Sequence, residues 1–214
     1  MRAAMMAMAM AAMAAGAYAD AAPPPQVPAM TAQTLGCTGP FTRSATHASL
    51  VKHFGARNVA WETVDGPEGS TYQVTAIFPK DPKRRLEAVW RDEEGRKDLL
   101  SVDVKSEGTA WTGPAGVAMK MPIAEVERRN ARPFALAGFQ WDMWGWVLDW
   151  KDGKLPQAAK DLGCDTFTVR FEETGDASKA AGEGPFASNA KGMRRARPIV
   201  ASFGVGFAYP DAAQ

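Results

Sequence analysis

The chain has 214 residues, with 25 Lys and Arg against 24 Asp and Glu and a formal net charge of +1. So even a balance supplies no broad field to capture nucleic acid or an anionic membrane, and both are excluded as general partners. The length suits one domain or two small ones and can bury a core without a metal or a dense disulfide framework.

Residues 1–19 read as a secretory signal peptide. Met1-Arg2 is a short positive start, Ala3 to Ala15 is an unbroken Ala and Met run, and Ala17-Tyr18-Ala19 places small residues where signal peptidase reads. The run is shorter than the ~20 apolar residues needed to cross a bilayer. Asp20 and Pro23-Pro24-Pro25 follow it, so cleavage rather than a retained transmembrane segment is expected. The expected location is periplasmic or secreted. Loss of residues 1–19 removes Arg2 alone among the charged side chains and leaves the two signs equal.

Residues 20–36 form a Pro/Ala-rich leader without periodicity, expected to be flexible. The only two cysteines, Cys37 and Cys164, lie beyond it. In an oxidising compartment an even pair reads as one disulfide. Thr34-Leu35-Gly36-Cys37 bears a faint likeness to a lipoprotein cleavage box, but it stands too far past the apolar run.

Two segments then share a pattern. In residues 37–120, Thr46 is available to cap a helix that Gly55 ends, and strands are expected over 72–79, 86–91 and 99–105, with Glu93 to Arg96 as a hairpin turn. In residues 121–171, Pro122 suits a first helical turn, Asn130 is the expected stop, and strands are expected over 134–141, 146–150 and 164–171. His47 to Val59 aligns on Pro122 to Phe134 with a constant shift, and Lys80 to Lys83 and Lys151 to Lys154 are turn sequences. Residues 172–192, rich in Gly, Ala, Ser and charge, are expected as a mobile loop, and residues 193–214 as a basic run and a terminal strand over 199–209. The expected class is α+β, two helix-plus-antiparallel-meander repeats with short helices on one face of an antiparallel sheet.

A helix, a Gly or Asn stop and aromatic antiparallel strands, given twice, resemble the tandem repeat of the beta-lactamase-inhibitor-protein fold. A single unit is similar to the repeats of small outer-membrane assembly lipoproteins. The stretch Glu125 to Phe134, continuing through Gly138-Phe139-Gln140-Trp141-Asp142, also resembles uncharacterised exported bacterial proteins. The resemblance covers residues 42 to 171 and implies a fold; it carries over no inhibitory loop and no lipid anchor.

Few residues offer chemistry. His47 and His53, the only histidines, lie six apart on one helix and point about 120° away from each other, which is not metal-binding spacing. Asp92-Glu93-Glu94 and Glu172-Glu173 sit among turn and basic residues and read as solvated. No catalytic, metal or cofactor set stands out, and no cofactor is expected. Arg194, Arg195 and Arg197 form the one local basic run, a candidate anion contact. Residues 138–150 hold four of the seven tryptophans. Alternation puts Trp146, Leu148 and Trp150 on one face, expected to be core, while Trp141, Asp142 and Trp144 flank a turn and are candidate ligand contacts. Two functions follow: a non-catalytic interaction module of the bacterial envelope holding another envelope protein, or a glycan-binding protein or hydrolase using the Trp-rich hairpin. The oligomeric state is left open.

Overall fold

The computed structural model describes residues 33–66, 69–141 and 143–209. The expected signal peptide and residues 20–32 of the leader lie outside the described residues, as does Asp142. The fold is α+β, as expected from the sequence.

Strand β1 (Gln33–Thr34) pairs in parallel with β6 (Trp111–Thr112), so the last residues of the expected leader, ahead of Cys37, are already paired. Helix α1 (His47–Phe54) starts where the sequence indicates. The Thr46 hydroxyl accepts from the Ser49 amide at 3.0 Å and the Ser49 hydroxyl accepts from the Thr46 amide at 2.9 Å, a reciprocal cap. Gly55, at φ 86°, ends it.

The antiparallel strands β2 (Val59–Asp65), β3 (Thr71–Ile77), β4 (Leu86–Asp92) and β5 (Lys97–Val104) form a meander. Helix α2 (Ile123–Asn130), strands β7 (Ala135–Ala137) and β8 (Val147–Asp149), helix α3 (Lys154–Lys160) and strand β9 (Thr166–Glu172) come next. Strand β10 (Pro185–Ala187), helix α4 (Lys191–Ala196) and strand β11 (Ile199–Gly206) complete the chain. The main sheet has the order β2-β3-β4-β5-β11-β9, and a smaller one the order β10-β7-β8. An antiparallel bridge between Trp146 and Arg170 joins the hairpin to β9.

The last strand is therefore interior to the main sheet. It inserts between β5 and β9, so residues 37–120 and 121–171 do not pack as separate units. One core runs from Leu35 to Phe207. Register places Thr75, Ala88, Val102, Val205 and Phe167 on the face that the helices cover, and His47 of α1 meets Thr75 there at 2.9 Å. The disulfide between Cys37 and Cys164, with Cα atoms 5.0 Å apart, ties the start of the domain to the lead-in of β9.

Several expectations are corrected. Asn130 does not occupy a left-handed stop; that position belongs to Ala131, at φ 62°. Asn130 ends α2 fully buried, its amide donating to the Trp150 and Arg132 carbonyls and accepting from the Leu155 amide. Leu155 lies in the first turn of α3, where an amide has no helical partner, and Asn130 supplies one. Residues 151–154 do turn, the Gly153 amide donating to the Trp150 carbonyl at 3.1 Å, and the turn leads into that helix rather than into a strand. Residues 172–192 are not a loose loop: Ala177, Ala180 and Ser188 are buried and β10 pairs with β7. The terminal strand ends at Gly206.

Candidate functional site

The face of the main sheet away from the helices carries polar residues where the strands alternate. From β2 to β5 they interlock. Arg85 reaches Glu62 at 2.8 Å and Glu87 at 2.9 Å, Lys105 reaches Glu87 at 2.7 Å, and the Lys105 ammonium donates to the Tyr72 hydroxyl at 3.1 Å. Burial alone would raise the pKa of Glu87, but hydrogen bonding and charge pairing with Lys105 and Arg85 outweigh it and hold the carboxyl below its ordinary value. Lys105 is held above its ordinary value, its burial outweighed by Glu87 and Tyr72.

Beyond this network the face opens into a trough. Its volume is about 520 Å³, and Asp65, Tyr72, Asp103, Lys105, Trp144, Trp146, Thr168, Arg170 and Ser202 are among its lining residues. Register brings the polar residues together. Asp103, Gly204 and Thr168 form one row across β5, β11 and β9, and Ser202 and Arg170 lie in the next. Gly204 has no side chain, and a Cβ there would collide with the Asp103 carboxylate. The carboxyl thus lies over backbone. Burial pushes its pKa up to about 6, against the opposing influence of Lys105 and Ser101 and with reinforcement from Glu87.

Of the two cations lining the trough, Arg170 has no ion pair and no side-chain hydrogen bond among the described residues. Lys105, by contrast, is already occupied.

The tryptophans divide differently from expectation. Trp150 packs against the core, stacked on Phe167 with ring centroids 5.6 Å apart, and its indole N–H donates to the Phe167 carbonyl at 3.0 Å. Trp146 is not core. It lies opposite Arg170 and lines the trough, while Leu148, expected beside it in the core, is 44% exposed. The cause is a register shift between Ala135 and Leu136, which pair with Asp149 and Val147 and leave Leu148 as the extra residue of a bulge. The bulge breaks period-two alternation between Trp146 and Trp150. Val147 consequently turns inward.

Trp141 and Trp144 stand at the surface, 55% and 43% exposed, and the Trp144 indole donates to Glu173 at 2.8 Å. Trp144 lines the trough. The basic run does not converge: Arg194 pairs with Glu127 at 2.8 Å, Arg197 donates to the Thr174 carbonyl, and Arg195 is exposed on α4. His47 is bound to Thr75 and edge-on to Trp61, while His53 packs on Phe54, so the histidines do not meet.

The trough residues Asp103, Thr168, Arg170 and Ser202 were not legible as a set. Each alternates with apolar neighbours, a visible signal of a strand with one polar face. Their convergence depends on β11 inserting between β5 and β9, which alternation does not encode.

No protein-family model matches the chain, and neither a curated protein nor a solved structure is significantly similar to it.

Proposed function

We propose that the protein is a non-catalytic interaction module of the bacterial cell envelope, periplasmic or secreted, that docks another envelope protein through the hairpin of β7 and β8. The observation that carries this reading is the grouping of Trp141, Met143, Trp144 and Leu148 on one hairpin: they are four of the five large apolar side chains exposed among the described residues. Single exposed apolar residues are ordinary, whereas an adjacent set marks a contact surface, and Trp is enriched at binding hot spots. The hairpin is held firmly for such a role. The Gly145 carbonyl accepts from the Phe171 amide at 2.9 Å, and Trp150 anchors its far end.

Envelope placement is supported by the apolar run of residues 1–19 and by the Cys37–Cys164 disulfide, which persists in oxidising compartments. The duplication and the likeness to the beta-lactamase-inhibitor-protein fold belong to the same proposal. Support comes from α1 and α2, each of 8 residues and each followed by a residue at positive φ before a strand begins.

A photocrosslinking amino acid placed at position 141 or 148 in envelope preparations tests the docking reading. It predicts the same protein adduct from both positions, lost when Met143 becomes Asp. Adducts that differ between the positions, or that survive Met143→Asp, contradict it.

A second reading, glycan binding, is favoured by one separate observation: Tyr72, Trp144 and Trp146 surround the trough with aromatic side chains. Hydrolysis has no observation of its own: Glu87, opposite Asp103, is engaged by Lys105 and Arg85, and nothing pairs the trough carboxylates Asp65 and Asp103 as acid and base.

A further inference from the structure

The trough combines three features that are separately ordinary and together selective. Its walls are aromatic, with Trp144 and Trp146 from the hairpin and Tyr72 from β3. Its lining offers the Asp103 carboxyl, which lies over Gly204, and the Thr168 and Ser202 hydroxyls. Arg170 adds a guanidinium without a carboxylate partner among the described residues. Aromatic faces suit the C–H faces of a saturated ring, and a few convergent polar groups suit ring hydroxyls. A guanidinium fork that faces a cavity unpaired is complementary to a carboxylate.

From these features we propose that the trough over Gly204 binds an acidic sugar, its ring against Trp144, Trp146 and Tyr72, its hydroxyls on Asp103, Thr168 and Ser202, and its carboxylate on Arg170. The inference rests on the glycan-binding reading; it shares Trp144 with the docking reading but uses none of Trp141, Met143 and Leu148. Size is compatible. The volume of about 520 Å³ falls within the ~300–1,000 Å³ of small-molecule sites. The Asp103 carboxylate and the Thr168 hydroxyl converge over Gly204, and Arg170 stands about 6.8 Å further along β9, lining the same trough. Charge narrows the ligand to a monoanion. One cation without an ion pair among the described residues matches one carboxylate, whereas Asp103 and Asp65 repel the second charge of a phosphate ester.

Titration of the intact protein with D-glucuronic acid and D-galacturonic acid, followed by tryptophan fluorescence and calorimetry, tests the assignment. D-glucose and inorganic phosphate are the comparison probes. Saturable binding is expected for at least one uronic acid, weakened about tenfold or more by Arg170→Gln and unchanged by Leu148→Ala, with glucose weaker by a similar factor. Thermal unfolding of Arg170→Gln in the absence of ligand establishes that the variant is folded. Glucose binding as tightly as glucuronic acid would overturn the acidic-sugar assignment while leaving glycan binding standing. Preference for phosphate would replace the sugar by an anion of another class. The absence of saturable binding by any of the sugars would overturn both the assignment and the glycan reading.

Discussion

Asp103 and Asn130 show how single polar side chains on opposite sides of the sheet act in different ways. Asp103 and the unfolded chain are both protonated below the ordinary value of 3.8. As pH rises from there to about 6, the unfolded chain ionises first, so this residue makes the fold progressively less stable; above about 6 the loss is complete. Asp103→Asn is therefore expected to raise stability at pH 8 by up to roughly 2 kcal/mol and to leave it nearly unchanged at pH 3.5. Urea denaturation at the two pH values measures this, and an equal effect at both would show that burial does not raise the Asp103 pKa. Asn130 is the reverse case. Its side chain makes three hydrogen bonds in a fully buried position, and removal leaves buried backbone groups unpaired. Asn130→Ala is expected to cost about 2–4 kcal/mol in the same assay, and a loss below about 0.5 kcal/mol would remove its assigned role in joining α2 to α3.

Among the elements, the hairpin of β7 and β8 decides where the tryptophans point. Gly145 has φ 69°, and a Cβ there would strike the Phe171 carbonyl as well as entering a disfavoured backbone region. Gly145→Val should separate the hairpin from β9, lowering stability by more than about 2 kcal/mol and making Trp146 as accessible to iodide as Trp141. Unchanged quenching and stability would contradict the observed junction. The same hairpin shows where sequence reading stops. Trp141 and Trp144 are legible as surface residues because they flank a turn, and alternation places Trp150 in the core together with Trp146 and Leu148, of which only Trp150 packs there. Trp146 does not, because the extra residue Leu148 shifts the alternation and a bulge leaves no mark in a pattern of period two. Asn130 was misread for a related reason. Asn is favoured at a left-handed stop and also as a buried amide that satisfies backbone groups, and only the position of α3 distinguishes the two.

At the level of the molecule, the order of the main sheet explains both the single core and the site. Local signals identify most strands of the meander, the cap of α1 and the disulfide, because each depends on neighbouring residues or, for Cys37 and Cys164, on there being only one pair. The insertion of β11 between β5 and β9 is a long-range pairing, and it alone brings Asp103 and Arg170 to opposite sides of Gly204. The most specific proposal places ligand binding on the open face at the junction of β5, β11, β9 and the hairpin. Backbone and indole N–H chemical-shift mapping of the isotopically labelled protein, titrated with the uronic acids, tests it most directly. The account predicts shifts at Asp103, Thr168, Arg170, Ser202, Gly204 and the indoles of Trp144 and Trp146, with Trp61, Trp90 and Trp150 on the helix-covered side unmoved. Shifts centred on Trp61 and His47, or none at the trough, would contradict it.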